Sequence, residues 1–181
     1  MTEKKSSTVG YILRLTFVLL LITAVVAGLL GVVNYFTKDT IAELRTQKAK
    51  DAMEQVLAAE SYTPMDCSDG GIVTEAFRAD DLGYVVRVSP SGFGGAIDMM
   101  VGISSEGAVT GVVIVSHTET ASLGANCTRE EFRAQYPGAK EALSVDKDGG
   151  TIEALTGATV TSRAVTEGVN AALAFVKEVQ E

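Results

Sequence analysis

A long apolar run near the N-terminus constrains this chain more than any other feature. The residues from Leu15 to Thr37 include no charged side chain, and about 20 apolar residues suffice to cross the hydrocarbon core of a bilayer as a helix. Tyr11 precedes the run and Tyr35 and Phe36 lie at its end, where amphipathic aromatic rings favour the membrane interfaces. The sequence therefore predicts one membrane-spanning helix attached to a domain of ordinary size.

A cleaved signal peptide is the alternative for this run, with Lys4, Lys5 and Arg14 as its basic region. The apolar residues continue to Val33, which is too long for an ordinary signal-peptide core and favours an uncleaved anchor. The short tail before the run should obey the positive-inside bias. We therefore expect a single-pass protein of the cell (inner) membrane, with a cytoplasmic N-terminus and an extracytoplasmic domain.

The charge and the motif content exclude several functional classes. The chain of 181 residues has a net charge of −8 at pH 7, and it has no basic patch to neutralise the phosphates of a nucleic acid. The sequence contains no glycine-rich dinucleotide motif, no phosphate loop of the nucleotide-triphosphatase type and no serine-hydrolase elbow. It therefore predicts neither a nucleic-acid partner nor a catalytic residue.

The potential metal ligands and nucleophiles are few. His117 is the only histidine, and Cys67 and Cys127 are the only cysteines. Structural zinc sites use four closely spaced ligands, so this widely spaced set predicts no metal site. His117 is interpreted as the end of a strand rather than as a catalytic base. The two cysteines are equally compatible with a disulfide in an exported domain and with two free thiols.

The segment after the apolar run is predicted to be a stalk helix. Asp39 and Thr40 suit its N-terminal cap, apolar residues recur at helical spacing to about Glu60, and the Tyr-Thr-Pro run at 62–64 ends it. These signals predict a tail and anchor over residues 1–37, a stalk over 38–60 and an extracytoplasmic domain over 61–181.

The domain itself is predicted to be α+β, with an antiparallel sheet. Apolar and β-branched runs cover residues 83–88, 96–103 and 109–115, and residues 104–107 suit a hairpin loop. A helix over 161–179 follows, and its apolar stripe consists of Val165, Val169, Ala172, Leu173 and Val176. Strands followed by helices on one face are typical of an α+β domain.

A hydroxyl-rich turn leads into this last helix. It reads Thr156, Gly157, Ala158 and Thr159, followed by Val160, Thr161 and Ser162. The free amides and the positive dipole charge of a helix N-terminus receive a phosphate well. An ordinary N-cap is the alternative, because Ser and Thr commonly satisfy the first helical amides. Local physics alone favours the cap.

Several motifs occur in order along the chain. They are Gly83-Tyr84, Gly92-Phe93-Gly94-Gly95, His117-x-Glu119-Thr120-x-x-Leu123-Gly124 and Glu153-x-x-Thr156-Gly157-Ala158-Thr159-x-Thr161-Ser162. Together they resemble the FMN-binding domain of the Rnf complex G subunit and of its relative, the C subunit of the sodium-pumping NADH:quinone oxidoreductase. The last motif resembles the flavinylation motif of that family. The chain departs from the family where Glu153 replaces a frequent Asp and Ala121-Ser122 replaces Pro-Gly.

The resemblance implies that the hydroxyl of Thr159 is esterified to the phosphate of FMN. No base lies beside Thr159 in the sequence, so a separate FAD-dependent flavin transferase is implied. The resemblance also implies a set of surrounding FMN-binding residues: Thr156, Gly157, Ala158, Thr161, Gly94, Glu119, Thr120, Leu123 and Gly124.

The function that the resemblance implies is an electron relay in a membrane-bound, ion-translocating ferredoxin:NAD oxidoreductase (Rnf) complex. The chain has no NADH site and no iron–sulfur motif, so membrane and iron–sulfur subunits are the implied partners, together with the lipid bilayer. The compact length favours the Rnf relative over the quinone-reductase relative. A membrane-anchored binding domain without a cofactor, in which the turn is only a helix cap, is the other alternative.

Overall fold

The structure is a computed structural model that describes residues 5–67 and 71–180. It divides the chain into two compact units, one ending at Thr46 and one beginning at Gln47. The β-sheet and the candidate site lie in the second unit.

Helix α1 runs from Lys5 to Val56. Its large apolar side chains between Tyr11 and Phe36 are exposed, and a helix that is apolar on all sides belongs in a membrane or a large core. By length and composition, α1 is able to cross a membrane. The predicted cap at Asp39 and Thr40 is wrong, because the helix continues through both residues. The next residues are mostly strong helix formers without Gly or Pro, so nothing ends the helix there.

The second unit contains a five-stranded antiparallel sheet with its strands in sequence order. The strands are β1 (Tyr62–Met65), β2 (Val73–Ala79), β3 (Gly83–Val88), β4 (Asp98–Ser104) and β5 (Val109–Ser116). The predicted strand over 83–88 and the hairpin between β4 and β5 are confirmed. Strand β1 was not predicted, because Pro64 was interpreted as part of the end of the stalk helix. That proline is tolerated because β1 is an edge strand.

A short helix, α2 (Glu130–Arg133), and the long helix α3 (Thr159–Gln180) complete the fold. The predicted apolar stripe of α3 is buried, and it packs with Val86, Val88 and Met99 of the sheet in one core cluster. A second core cluster lies on the opposite face of the sheet, where Met53 and Val56 of α1 pack with Val85 of β3. Because side chains alternate along a strand, the sheet buries both of its faces. The α+β prediction is confirmed.

Both cysteines are free thiols in this structure. Cys127 is fully buried, and burial, together with the charge of Glu119, raises the pKa of its thiol to about 11. Cys127 is therefore a protonated core residue at neutral pH. Of the two possibilities left open by the sequence, the structure has two unpaired thiols.

Tyr136, like Cys127, is a buried core residue with a raised pKa. Its hydroxyl lies 3.0 Å from Thr166 Oγ1, and the Thr166 hydroxyl donates to the carbonyl of Ser162 at 2.9 Å. Tyr136 therefore donates to Thr166. Burial is the main cause that raises the pKa of Tyr136 to about 12.

We expect the melting temperature of the domain to fall between about pH 9 and pH 12. The pKa values of Cys127 and Tyr136 are raised above their ordinary values of 9.0 and 10.0. The stability that the neutral groups contribute is therefore complete below those ordinary values and is lost as the pH rises through the folded-state values. Thermal unfolding of the detergent-solubilised chain, followed by circular dichroism, measures the effect.

Tyr136→Phe tests which group is responsible. Losing one neutral hydrogen bond should cost about 1 kcal/mol near pH 8, while the loss of stability above pH 10 should become shallower. A pH profile parallel to that of the wild type would contradict the role of Tyr136.

Candidate functional site

The candidate site is a cavity of about 380 Å³ at one end of the sheet. Three segments meet there: the turn between β3 and β4, the loop after β5, and the start of α3. The lining residues are Phe93, Glu119, Thr120, Leu123, Gly124, Gly157, Ala158, Thr159, Val160 and Thr161. Residues from three of the four sequence motifs thus line one cavity, whereas Gly83 and Tyr84 are not among the lining residues.

The hydroxyl-rich turn enters α3 in a fixed conformation. The amide of Ala158 donates to the carbonyl of Leu155 at 2.9 Å, and Gly157 has a φ of +76°. Position three of a type II turn requires such a left-handed φ, which glycine adopts without strain. Ser162 closes the turn from inside, because its hydroxyl accepts from the amide of Leu155 at 3.0 Å and donates to the carbonyl of Ala158 at 3.1 Å.

The first turn of α3 supplies the anion-binding character of the cavity. The helix begins at Thr159, so the amides of Thr159, Val160 and Thr161 have no acceptors within the helix. The helix dipole adds partial positive charge at the same place. None of the lining side chains is cationic. The backbone of α3 is therefore the part of this lining that can bind a phosphate.

Glu119 connects the three segments. Its side chain is buried, with the residue 8% exposed. Oε1 accepts a hydrogen bond from the amide of Gly94 at 3.0 Å, and Oε2 accepts one from the hydroxyl of Thr161 at 2.6 Å. The amide of Glu119 donates to Nδ1 of His117 at 3.2 Å. His117 directly follows β5, as predicted from the sequence.

Glycines make room for this carboxylate. A Cβ at Gly92 would strike Glu119 Oε1, and one at Gly124 would strike Glu119 Oε2 and lie 2.7 Å from the Thr161 hydroxyl oxygen. A Cβ at Gly94 would strike the carbonyl of Thr118. These residues are glycines because the loops approach each other too closely for any side chain.

Exposed apolar side chains surround the mouth of the cavity. Phe93 is 73% exposed, Val160 48% and Leu123 44%. Large apolar side chains held in water around a concave site are typical of ligand pockets, and they suit a flat aromatic ring. The sequence predicted only Leu123 among these three. Phe93 could have been found, because a glycine-rich turn offers an apolar side chain no core of its own.

The segment before the turn is held by side chains outside the cavity. Gln135 Oε1 accepts from the amide of Glu153 at 2.6 Å, and its Nε2 donates to the carbonyl of Glu153 at 3.3 Å. Asp146 accepts from the amide of Ala154 at 3.1 Å. The hydrogen bond from Arg163 to Asp148 lowers the pKa of the Asp148 carboxyl. No sequence signal pointed to Gln135 or to these aspartates.

The predicted residues fall into three groups. The residues that line the cavity are Gly157, Ala158, Thr159, Thr161, Glu119, Thr120, Leu123 and Gly124. Gly94 is joined to the cavity through its hydrogen bond to Glu119. Thr156 is exposed in the turn and is not among the lining residues.

We expect Gly124→Ala to disrupt the site, because the added methyl group would strike the Glu119 carboxylate and the Thr161 hydroxyl. Overpacking of this kind typically costs about 1–3 kcal/mol, which denaturant unfolding would measure. Gly71→Ala is the matched control, since a Cβ at Gly71 meets nothing within 4 Å. Equal unfolding midpoints for the two variants would show that the loops can accommodate the added methyl group.

Comparison with known proteins covers both units of the chain. Residues 92–174 match the family described as the FMN-binding domain, and residues 6–56 match the family described as the RnfG N-terminal region. The chain is similar to a crystal structure from Parabacteroides distasonis, that of the C subunit of Na⁺-translocating NADH-quinone reductase. That similarity has a TM-score of 0.49 at 22% identity and covers 60% of this chain and 62% of the other.

Two relatives are similar over most of their own lengths. The G subunit of the proton-translocating ferredoxin:NAD⁺ oxidoreductase complex of Clostridium ljungdahlii is 35% identical, covering 85% of this chain and 86% of that protein. Its counterpart in the Na⁺-translocating ferredoxin:NAD⁺ oxidoreductase complex of Acetobacterium woodii is 33% identical, covering 88% of each. From its motifs and these relatives, the chain belongs to the family of G subunits of Rnf-type ion-translocating oxidoreductase complexes.

Proposed function

We propose that this chain is an electron-relay subunit of an Rnf complex and that it carries FMN in the cavity at the start of α3. One observation supports this most directly. Every residue that lines the cavity lies within residues 92–174, which match the FMN-binding domain family. The chain works as a redox subunit of an ion-translocating oxidoreductase, and the membrane and iron–sulfur subunits of the complex are its proposed partners.

The residues present fit FMN. A cavity of about 380 Å³ lies within the usual range of cofactor sites. The exposed side chains of Phe93, Leu123 and Val160 offer apolar contact for the ring, and the first-turn amides of α3 offer donors for the phosphate. FMN supplies the reversible uptake of electrons, while the chain binds it, orients it and limits its contact with water.

Thr159 is the proposed point of covalent attachment. It lines the cavity at the first residue of α3 and is partly exposed. Thr161 is 1% exposed and its hydroxyl donates to Glu119, whereas Thr156 lies outside the lining. Thr120 is exposed but belongs to the loop after β5, so Thr159 is the partly exposed lining threonine beside the phosphate donors.

A separate flavin transferase is proposed to form the ester. The lining contributes one ionisable side chain, Glu119, and both of its oxygens already accept hydrogen bonds from other groups. It is therefore not placed to activate Thr159 as a base. Transfer from FAD would join the FMN phosphate to Thr159 Oγ1 and release AMP.

The proposed topology places residues 1–37 as tail and anchor, 38–60 as stalk and 61–181 as an extracytoplasmic FMN domain. The N-terminus is cytoplasmic under the positive-inside bias. Outside the cytoplasm a dissociable cofactor would be lost, whereas a covalent link makes its local concentration independent of supply. The names of the two relatives differ in the coupling ion, so similarity to them assigns none to this chain.

We expect Thr159→Val to abolish covalent flavin. The chain is co-expressed with a flavin transferase and denatured, and flavin fluorescence is read in the protein band of a gel. Val keeps nearly the volume of Thr but has no hydroxyl to esterify. Thr151→Val, at an exposed threonine outside the cavity lining and the motif, is the matched control and should retain the fluorescence. A wild-type band without flavin would contradict the proposed function, and flavin retained in Thr159→Val but lost in Thr156→Val would move the attachment site.

We expect the hairpin between β4 and β5 to face the outside of the cell. Ser105→Cys in a Cys67→Ser background places an accessible thiol at an exposed residue of that hairpin. A membrane-impermeant maleimide should label this thiol in intact spheroplasts as fully as in lysed cells. Labelling that requires lysis would place the domain in the cytoplasm.

A further inference from the structure

The cavity contains one charged side chain, and its charge has no opposite partner. Glu119 is the only ionisable residue of the lining, and the lining includes no Lys, Arg or His. The groups that bond to its carboxylate are the amide of Gly94 and the hydroxyl of Thr161, both neutral. Both oxygens accept, which is the hydrogen-bonding pattern of an ionised carboxylate.

We propose that Glu119 lowers the redox potential of the flavin, because its fixed negative charge in the cavity disfavours reduction to a more negative form. This inference rests on the proposed function, because it requires FMN in this cavity. It concerns a property of the bound cofactor that family membership and the proposed contacts leave open.

The structural role of Glu119 can be separated from the effect of its charge. A glutamine would also accept a hydrogen bond from the Gly94 amide and reach Thr161, so joining the loops does not itself require a charge. Glycines at 92 and 124 make room for this carboxylate, because a Cβ added at either position would strike one of its oxygens. Burial reduces the screening of its charge by water and salt.

Arg133 does not pair with Glu119, although both charges act on the pKa of Cys127. Burial is the main cause that raises this pKa and the charge of Glu119 raises it further, while Arg133 lowers it. Arg133 directs its guanidinium to the carbonyls of Thr128 and Val112, at 3.0 and 2.9 Å. It therefore does not neutralise the carboxylate inside the cavity.

The direction of the effect follows from charge balance. Two electrons and one proton make the flavin one unit more negative, whereas two electrons and two protons leave its charge unchanged. The electrons come from a redox partner in the complex, and the protons come from solvent at the open cavity mouth. A fixed negative charge opposes the first outcome more than the second, so it lowers the potential wherever reduction adds net charge.

A redox titration of the FMN-loaded full chain in detergent tests the proposal. Glu119→Gln keeps the shape and one acceptor oxygen but removes the charge. We expect its two-electron equilibrium to shift about tenfold toward the reduced form, which is a rise of ~30 mV. Glu130→Gln makes the same charge change at an exposed position of α2 outside the lining, and we expect a shift of less than about threefold. Equal shifts in the two variants would overturn the proposal.

A second pair of variants keeps the test decisive if Glu119→Gln fails to hold flavin. Thr120 is exposed and lines the cavity. Thr120→Lys adds a positive charge there without touching the Glu119 hydrogen bonds, and Thr120→Gln is its neutral control. We expect a higher potential with Lys than with Gln. Equal potentials would overturn this inference alone, whereas a wild-type chain that holds no flavin would contradict the proposed function together with it.

Discussion

The hydrogen bonds of one buried carboxylate hold the site together. Glu119 reaches the β3–β4 turn through the amide of Gly94 and the start of α3 through the hydroxyl of Thr161. Its own backbone belongs to the loop after β5, so three segments far apart in sequence depend on a single side chain. Removing the carboxylate would leave these two donors without an acceptor, at a cost of about 1–3 kcal/mol each. The cavity therefore depends on Glu119 more than on any of the side chains at its mouth.

Much of the fold followed from local patterns. The β-branched run at 83–88 and the apolar stripe of α3 are periodic and predicted their elements well. The patterns failed where residue preferences compete. Pro64 is unusual inside a strand, so β1 was not predicted. Asp39 and Thr40 are common helix caps, but here they lie in the middle of α1. Composition alone does not say whether a capping residue meets a new helix or the middle of an existing one.

The sequence predicted the site less completely than it predicted the fold. Local physics at Thr156–Thr159 favoured a plain helix cap, and only the ordered motifs pointed to a cofactor. The structure places eight of the ten predicted site residues in the lining of one cavity. Phe93 and Val160 were not predicted. The glycine-rich turn around Phe93 was a usable signal, whereas nothing in the sequence marks Val160 as part of the same rim. Gln135 was beyond reach for another reason: its two hydrogen bonds go to the backbone of Glu153, eighteen positions away, and a backbone partner leaves no trace in residue type.

The apolar rim has a consequence for the order of events in the life of this protein. Phe93, Leu123 and Val160 are exposed at the cavity mouth, and exposed apolar surface favours both ligand binding and unwanted association. The same surface therefore favours two competing events, binding of a flat ligand and association with another copy. Under the proposed function, bound FMN would cover these side chains, and a covalent bond would keep them covered. Loading the cofactor would then also remove an apolar surface through which copies of the domain could associate.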